Sequence, residues 1–281
     1  MMCLLCPTSS PHDYTVKNNP NKTEHRKLAI VCPGARRLEL ARQLSEATSA
    51  PISRTTGTGA QLELRLQDDV IELYDSELNT SIIVDFTGGT LAHRQQYGGG
   101  KGQAIAKAVG MKSGRVPSVL DVTAGLAGDA FVLASLGCPV TMIERSPVNA
   151  ALINDAIERA SLNSNFQHIL DQGFTLINAD ANVYMQACRQ APDVIYIDPM
   201  YPERKKSALV KKQMQILQKL LHQETDAVSN ESALLENALA CAAKRVVVKR
   251  PLHAPTITDR KPSTTVSSKK TRYDIYTLNK M

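Results

Sequence analysis

From Val116 onward, short apolar runs alternate with helically spaced segments, and this rhythm constrains the fold more than any other feature of the chain. Val119–Val122 reads as a buried strand, Asp129–Leu136 as a helix and Val140–Ile143 as the next strand. Pro147–Ala160 follows as a helix with proline in its first turn. Thr175–Ile177 and Val194–Ile197 read as strands around a helix over Ala181–Arg189. Helices over Ser207–Leu221 and Glu231–Ala243 precede strands Arg245–Val248 and Tyr273–Leu278. Such alternation predicts an α/β fold, a parallel sheet with helices on both faces.

The segment upstream has another character. Residues 27–90 predict a small α+β module: strand Leu28–Cys32, helix Ala35–Thr48, and strands Gln61–Leu66, Val70–Tyr74 and Ser81–Val84. Gln61–Leu66 alternates strictly, the pattern of a half-buried strand. Residues 1–26, with Pro7, Pro11 and Pro20, predict a poorly ordered lead segment. Residues 91–117 form a connector with a short helix over Gln103–Val109, and residues 118–281 the large domain. In the connector, Tyr97–Gly102 with Lys101 has two open readings, a flap over a ligand and a hinge between modules.

Composition excludes several classes. Hydrophobic residues at 43% and charged residues at 21% exclude a disordered or collagen-like chain. The longest mostly apolar stretch, Ala130–Ile143, has 14 residues, short of the roughly 20 that span a bilayer. Met1–Cys6 has no basic lead-in, so no export signal is expected. Cys3 and Cys6 form a C-x-x-C with no second pair nearby, and the six cysteines read as free thiols in a reducing cytoplasm. His93, His168, His222 and His253 have no ligand spacing, so no metal is expected.

Two loops carry the chemistry. In Asp121-Val-Thr-Ala-Gly-Leu-Ala-Gly-Asp129, small residues let a ligand approach the backbone where a strand ends and a helix begins. The next strand ends at Glu144, placed to accept both hydroxyls of a ribose. Dinucleotide folds carry G-x-G-x-x-G, whereas Gly125 and Gly128 are spaced G-x-x-G. A helix N-terminus would hold a pyrophosphate, but Asp129 would repel one. S-adenosylmethionine (SAM) has no phosphate and carries a cationic ammonium, which suits Asp121 and Asp129.

The second loop is Asp198-Pro-Met-Tyr-Pro202, after strand Val194–Ile197. A residue before proline is held extended, so the Asp198 carboxylate is aimed. Exocyclic amines of nucleobases are poor nucleophiles, and a methyltransferase must hold their N–H bonds. Asp198 and the Pro199 carbonyl offer the acceptors, and Tyr201 offers a face on which a base can stack.

These motifs, with Glu144-Arg145, Lys206–Lys212 and Lys244–Pro251, resemble the RsmJ-type methyltransferases over roughly residues 90–278. The resemblance implies a Rossmann-like class I SAM-dependent methyltransferase fold. It further implies methylation of the N2 amine of a guanine in small-subunit ribosomal RNA, guanine 1516 of 16S rRNA, as naked RNA or within the small ribosomal subunit. Cofactor contacts are then expected from Gly128, Asp129, Glu144, Arg145, Asp180, Ala181 and Asp198. This chain departs from the family pattern at Gly128, where an arginine is usual, and at Asp180-Ala181, where small hydroxylic residues are usual. Asp180 can serve as an acceptor for the adenine amine.

Charge is distributed unevenly. Residues 1–198 hold 17 basic and 20 acidic side chains, and residues 199–281 hold 16 and 7. Arg204, Lys205, Lys206, Lys211, Lys212, Lys249 and Arg250 are the expected RNA contacts, through phosphates. Rival readings are an adenine-N6 or other nucleic-acid amino methyltransferase, and a catalytically silent RNA-binding assembly factor on the same fold. A nicotinamide dehydrogenase stands third.

Overall fold

The computed structural model describes residues 27–88, 102–112, 114–199, 212–224 and 231–281. The lead segment, most of Tyr97–Gly102 and positions 200–211 lie outside these residues.

The N-terminal part builds a five-stranded sheet. Its strands are β1 (Leu28–Val31), β2 (Ile52–Ser53), β3 (Leu62–Leu66), β4 (Ile71–Asp75) and β5 (Thr80–Ile82), in the order β2-β1-β3-β4-β5. β1 pairs in parallel with β2 and β3, and the rest is antiparallel. Helix α1 (Leu38–Thr48) links β1 to β2. The alternation in β3 does not produce a half-exposed strand. Glu63 is 2% exposed and pairs with Arg65 at 2.8 Å while accepting from the Thr58 amide at 2.7 Å. A buried carboxylate so partnered loses little on leaving water, so a polar position in the pattern need not face solvent.

After α2 (Ala104–Val109), the second part builds a seven-stranded sheet. Its elements are β6 (Val119–Asp121), α3 (Gly128–Ser135), β7 (Val140–Glu144), α4 (Pro147–Ser161), α5 (Ser164–Asp171), β8 (Phe174–Asn178), α6 (Ala181–Ala187) and β9 (Val194–Ile197). They continue with α7 (Lys212–Glu224), α8 (Glu231–Cys241), β10 (Arg245–Pro251), β11 (Thr264–Ser267) and β12 (Thr271–Thr277). Strand order is β11-β12-β10-β9-β6-β7-β8. Five strands are parallel as the alternation predicts, while β12 adds antiparallel to β10 and β11 antiparallel to β12. Three elements, β2, α5 and β11, were not expected from the sequence. β11 is a polar edge strand, Thr-Thr-Val-Ser, and β2 has two residues, too few for any alternation to show.

Side-chain alternation gives the large sheet two cores. Val119, Val140, Met142, Val194, Tyr196 and Val247 point to one face, and Leu120, Ile143, Ile195, Ile197, Val246 and Val248 to the other. The first face shares one continuous core with the small sheet. All four phenylalanines of the chain meet there: Phe86, beyond β5, stacks on Phe131 of α3 at 5.1 Å and on Phe166 at 5.9 Å, with Phe174 edge-on at 5.5 Å. Asp155 of α4, fully buried, closes the same seam: it pairs with Arg37 at 2.7 Å and Arg159 at 2.8 Å and accepts from the Ile71 amide at 3.1 Å.

The strand order reverses direction between β6 and β9, and crevices outside the carboxyl ends of strands at such a point receive ligands. Asp121, Glu144 and Asn178 end β6, β7 and β8 on that rim, and Asp198 follows β9. The β11–β12 turn reaches the same rim, because Pro251 pairs with Thr271 and the Leu252 amide donates to the Lys270 carbonyl at 3.0 Å. Lys244 lies at the opposite rim, where its carbonyl accepts from the amides of Leu278 and Asn279.

Candidate active site

The loop after β6 is shaped by its backbone. Gly125 (φ +57°) and Ala127 (φ +58°) adopt left-handed conformations, which turn the chain sharply into α3. The Gly125 amide donates to Glu144 Oε2 at 2.9 Å, and the Ala124 amide to the Ile143 carbonyl at 3.2 Å. The loop is thereby clamped to the end of β7. A side-chain carbon at Gly125 would come near nothing but the Thr123 carbonyl at 3.9 Å, so the space over the loop is open to a ligand.

Glu144 is 8% exposed, and its other oxygen accepts from the Ser146 amide at 2.8 Å. Two backbone donors fix its orientation, and a carboxylate held this way suits a ribose hydroxyl. Asn178 donates to the carbonyls of Glu144 and Arg145 at 2.7 and 3.1 Å, tying β8 to this corner, where Arg145 is exposed. Asp180 caps α6 through the amides of Asn182 and Val183 at 2.9 and 3.0 Å, with Ala181 as the first helical residue.

The second loop locks onto the first through Thr123. Its Oγ1 accepts from the Asp198 amide at 2.7 Å and lies 3.4 Å from Asp121 Oδ1, which also accepts from the Thr123 amide at 3.0 Å. Three carboxylates thus converge: Asp121 from β6, Asp129 from the first turn of α3, and Asp198 after β9. Lys249 of β10 places Nζ 2.7 Å from Asp129 Oδ2 and 2.7 Å from Asp198 Oδ2. Tyr196 donates its hydroxyl to Asp129 at 2.7 Å from the buried interior of β9.

The electrostatics follow from this crowding. Burial pushes the Asp121 carboxyl up to about 7, and the neighbouring Asp129 and Asp198 charges add to the effect against Lys249 and the Thr123 amide. Burial also raises Asp198, with Asp129 adding and Lys249 opposing. Burial lowers Lys249, but the two carboxylates more than offset this and leave its ammonium firmly charged. Tyr196 is raised, first by burial and then by the same carboxylates, so it stays a donor.

Among the described residues, three aspartates gather around one ammonium beside an open glycine turn, an acidic surrounding. That suits a ligand that is cationic at its amino-acid end and carries no phosphate, and SAM fits it. Glu144, in the next corner, suits the ribose. Among the described residues no group of three or more His, Cys, Asp or Glu side chains is arranged to hold a metal ion.

The structure brings Asp121, Gly125, Gly128, Asp129, Glu144, Asp198 and Pro199 to one rim, with Arg145, Asp180 and Ala181 at its β7–β8 corner. Two residues need correction as RNA contacts. Lys249 points into the carboxylate cluster. Arg250 is 2% exposed and donates to the Pro255 carbonyl at 2.8 and 3.0 Å, so no phosphate reaches it. Lys212 is exposed at the start of α7. Tyr201, Arg204, Lys205, Lys206 and Lys211 lie outside the described residues. Sequence reasoning missed Thr123, Tyr196 and the place of Lys249. Tyr196 carried a signal, since a hydroxyl inside the apolar run Val194–Ile197 needs a buried partner.

Comparison with known proteins agrees with this geometry. A family model described as "Putative SAM-dependent methyltransferase" matches residues 50–278. "Ribosomal RNA small subunit methyltransferase J" of Shewanella amazonensis is 47% identical over 224 residues, covering 79% of this chain and 89% of that protein. The protein of the same name from Aeromonas hydrophila is 47% identical over 239 residues, covering 85% and 92%. A crystal structure of a SAM-dependent methyltransferase from Neisseria gonorrhoeae superposes with a TM-score of 0.67 at 32% identity, covering 89% of this chain and 95% of the other. With an acidic rim that suits a cationic, phosphate-free ligand and matches that span most of its length, the chain belongs to the SAM-dependent methyltransferase family that includes ribosomal RNA small subunit methyltransferase J.

Proposed function

We propose that this protein methylates the N2 amine of one guanine in 16S ribosomal RNA of the small subunit. The observation that carries the reading is the lock between the two loops. Asp198, the acceptor-loop carboxylate, is fixed by its own amide to Thr123 of the cofactor loop at 2.7 Å. The names of the relatives supply the class of RNA.

SAM, when bound, supplies an electrophilic methyl group on a sulfonium. The chain's own residues hold the other reactant. Asp198 and the Pro199 carbonyl accept the two N–H bonds of the guanine amine and turn its lone pair toward the methyl. Tyr201 stacks the base. As the nitrogen takes the methyl, the methyl–sulfur bond breaks and the positive charge passes from sulfur to nitrogen, which then gives up a proton that the Asp198 carboxylate can accept. Most of the acceleration comes from orientation, an effect that reaches about 7–11 kcal/mol at best.

Around the site, exposed basic residues hold the RNA backbone, and the target base is extruded into the crevice. The test is to map N2-methylguanine in 16S RNA from cells with and without the gene, and after treating the unmodified RNA with purified protein and SAM. One N2-methylguanine should disappear with the gene and return with the protein. An unchanged guanine map, or a methyl on adenine N6, overturns the reading.

A further inference from the structure

Lys249 belongs to a run of basic residues, yet its position is set by the sheet. β9 and β10 are parallel neighbours with Val248 beside Ile197, so the next residue of each strand brings Lys249 beside Asp198. The ammonium spans the switch-point crevice, 2.7 Å from a carboxylate of the cofactor-loop helix and 2.7 Å from a carboxylate of the acceptor loop. It is 27% exposed, and Asp129 only 9%, so water screens the inner pair poorly. Asp129 is anchored from below by Tyr196, and Asp198 from the side by Thr123. Tyr196, Asp129, Lys249, Asp198, Thr123 and Asp121 therefore form one connected polar chain.

We propose that Lys249 is a positioning residue, whose ammonium fixes Asp198 against Asp129 so that the acceptor-loop carboxylate stays in register with the cofactor loop. The inference rests on the methyl-transfer reading of the site. A phosphate contact is the competing role, and the geometry disfavours it. To reach an RNA backbone Lys249 would abandon both 2.7 Å pairs and with them the charge that holds the two carboxylates together.

The pairing also governs protonation. Asp198 is faced by Lys249 from β10, Asp129 from α3, Asp121 from β6 and Tyr196 from β9. Among the described residues that face it, Lys249 is the cation, and it opposes the upward push of burial and of Asp129. Removing it therefore moves the Asp198 titration to higher pH.

The experiment compares the full-length protein with Lys249→Met and Lys249→Arg. Methyl transfer to unmodified 16S RNA is followed against pH, and the aspartate carboxyl carbons of the free protein are titrated by 13C NMR, with the Asp198 signal assigned through Asp198→Asn. Lys249→Met should lower kcat about 100-fold, the scale of a 1 Å misplacement, with KM for RNA little changed. Its acidic limb and its Asp198 midpoint should both move up, and Lys249→Arg should recover part of kcat. If Lys249→Met does not fold, hydrogen exchange of the Lys249 ammonium by 15N NMR gives the same answer: slow in the wild type and faster in Asp198→Asn. An unmoved Asp198 midpoint, an ammonium exchange indifferent to Asp198, or a raised KM for RNA with a flattened salt dependence and intact kcat overturns the proposal. Failure of the guanine assignment would leave the carboxyl titration unaffected, so the two readings fail separately.

Discussion

At Asp121 burial and charge oppose each other. Its carboxyl moves from an ordinary 3.8 to about 7 in the folded chain. Between about pH 4 and 7 the folded state holds a proton that the unfolded state has released. Its contribution to stability is therefore complete below pH 4, is lost as pH rises through this window, and is lowest above 7. Asp121→Asn keeps the acceptor for the Thr123 amide and removes the charge. It should stabilise the protein at pH 8 by up to about 4 kcal/mol, at about 1.4 kcal/mol per pH unit across that window, and flatten the pH slope. Urea titrations at pH 5 and 8 measure both. The same variant should bind SAM more weakly by calorimetry, because a cationic ligand loses one of its counter-charges.

At the scale of elements, the small sheet and α4 meet through a few charged residues. Asp155 has two arginines and one backbone amide as partners, and its side chain is fully buried. Asp155→Ala leaves Arg37, Arg159 and the Ile71 amide without it, and should cost about 3–5 kcal/mol in chemical denaturation. Nothing in the sequence announces that role, since Asp155 sits four residues from Arg159 and reads as one more exposed helical pair. The same limit explains Lys249 and Arg250. Adjacent basic residues at the end of an apolar run look like a phosphate-binding surface, and only the register of β10 between β9 and β12 shows where they point. What was legible was local: the order of strands and helices, the glycine turn at 125, the acidic ends of β6 and β7, and the proline-fixed Asp198. Pairings between distant segments were not, because they depend on strand order, which the alternation of elements leaves open. The antiparallel β12 is a case in point, since it breaks the parallel rule without any mark in its own residues.

For the molecule as a whole, strand direction sorts the basic residues by rim. Lys269 and Lys270, exposed at the β11–β12 turn, share the rim of Asp198, whereas Lys244 and Lys280 lie at the other. Lys269→Ala with Lys270→Ala should weaken RNA binding and reduce the slope of log affinity against log salt by about 1.4, at roughly 0.7 per single-strand phosphate contact. Lys244→Ala with Lys280→Ala should leave the slope unchanged, and filter binding across a salt series separates the two pairs. The phenylalanine seam has a consequence of another kind. Phe86 packs against the helix that opens with Gly128 and Asp129, and the small sheet shares its core with one face of the large one. Heat should therefore melt both sheets in one calorimetric peak, with equal calorimetric and van't Hoff enthalpies. A cofactor held only at the large sheet would then slow amide exchange in β3 and β4 as well, because protection follows the melting unit rather than the distance to the ligand.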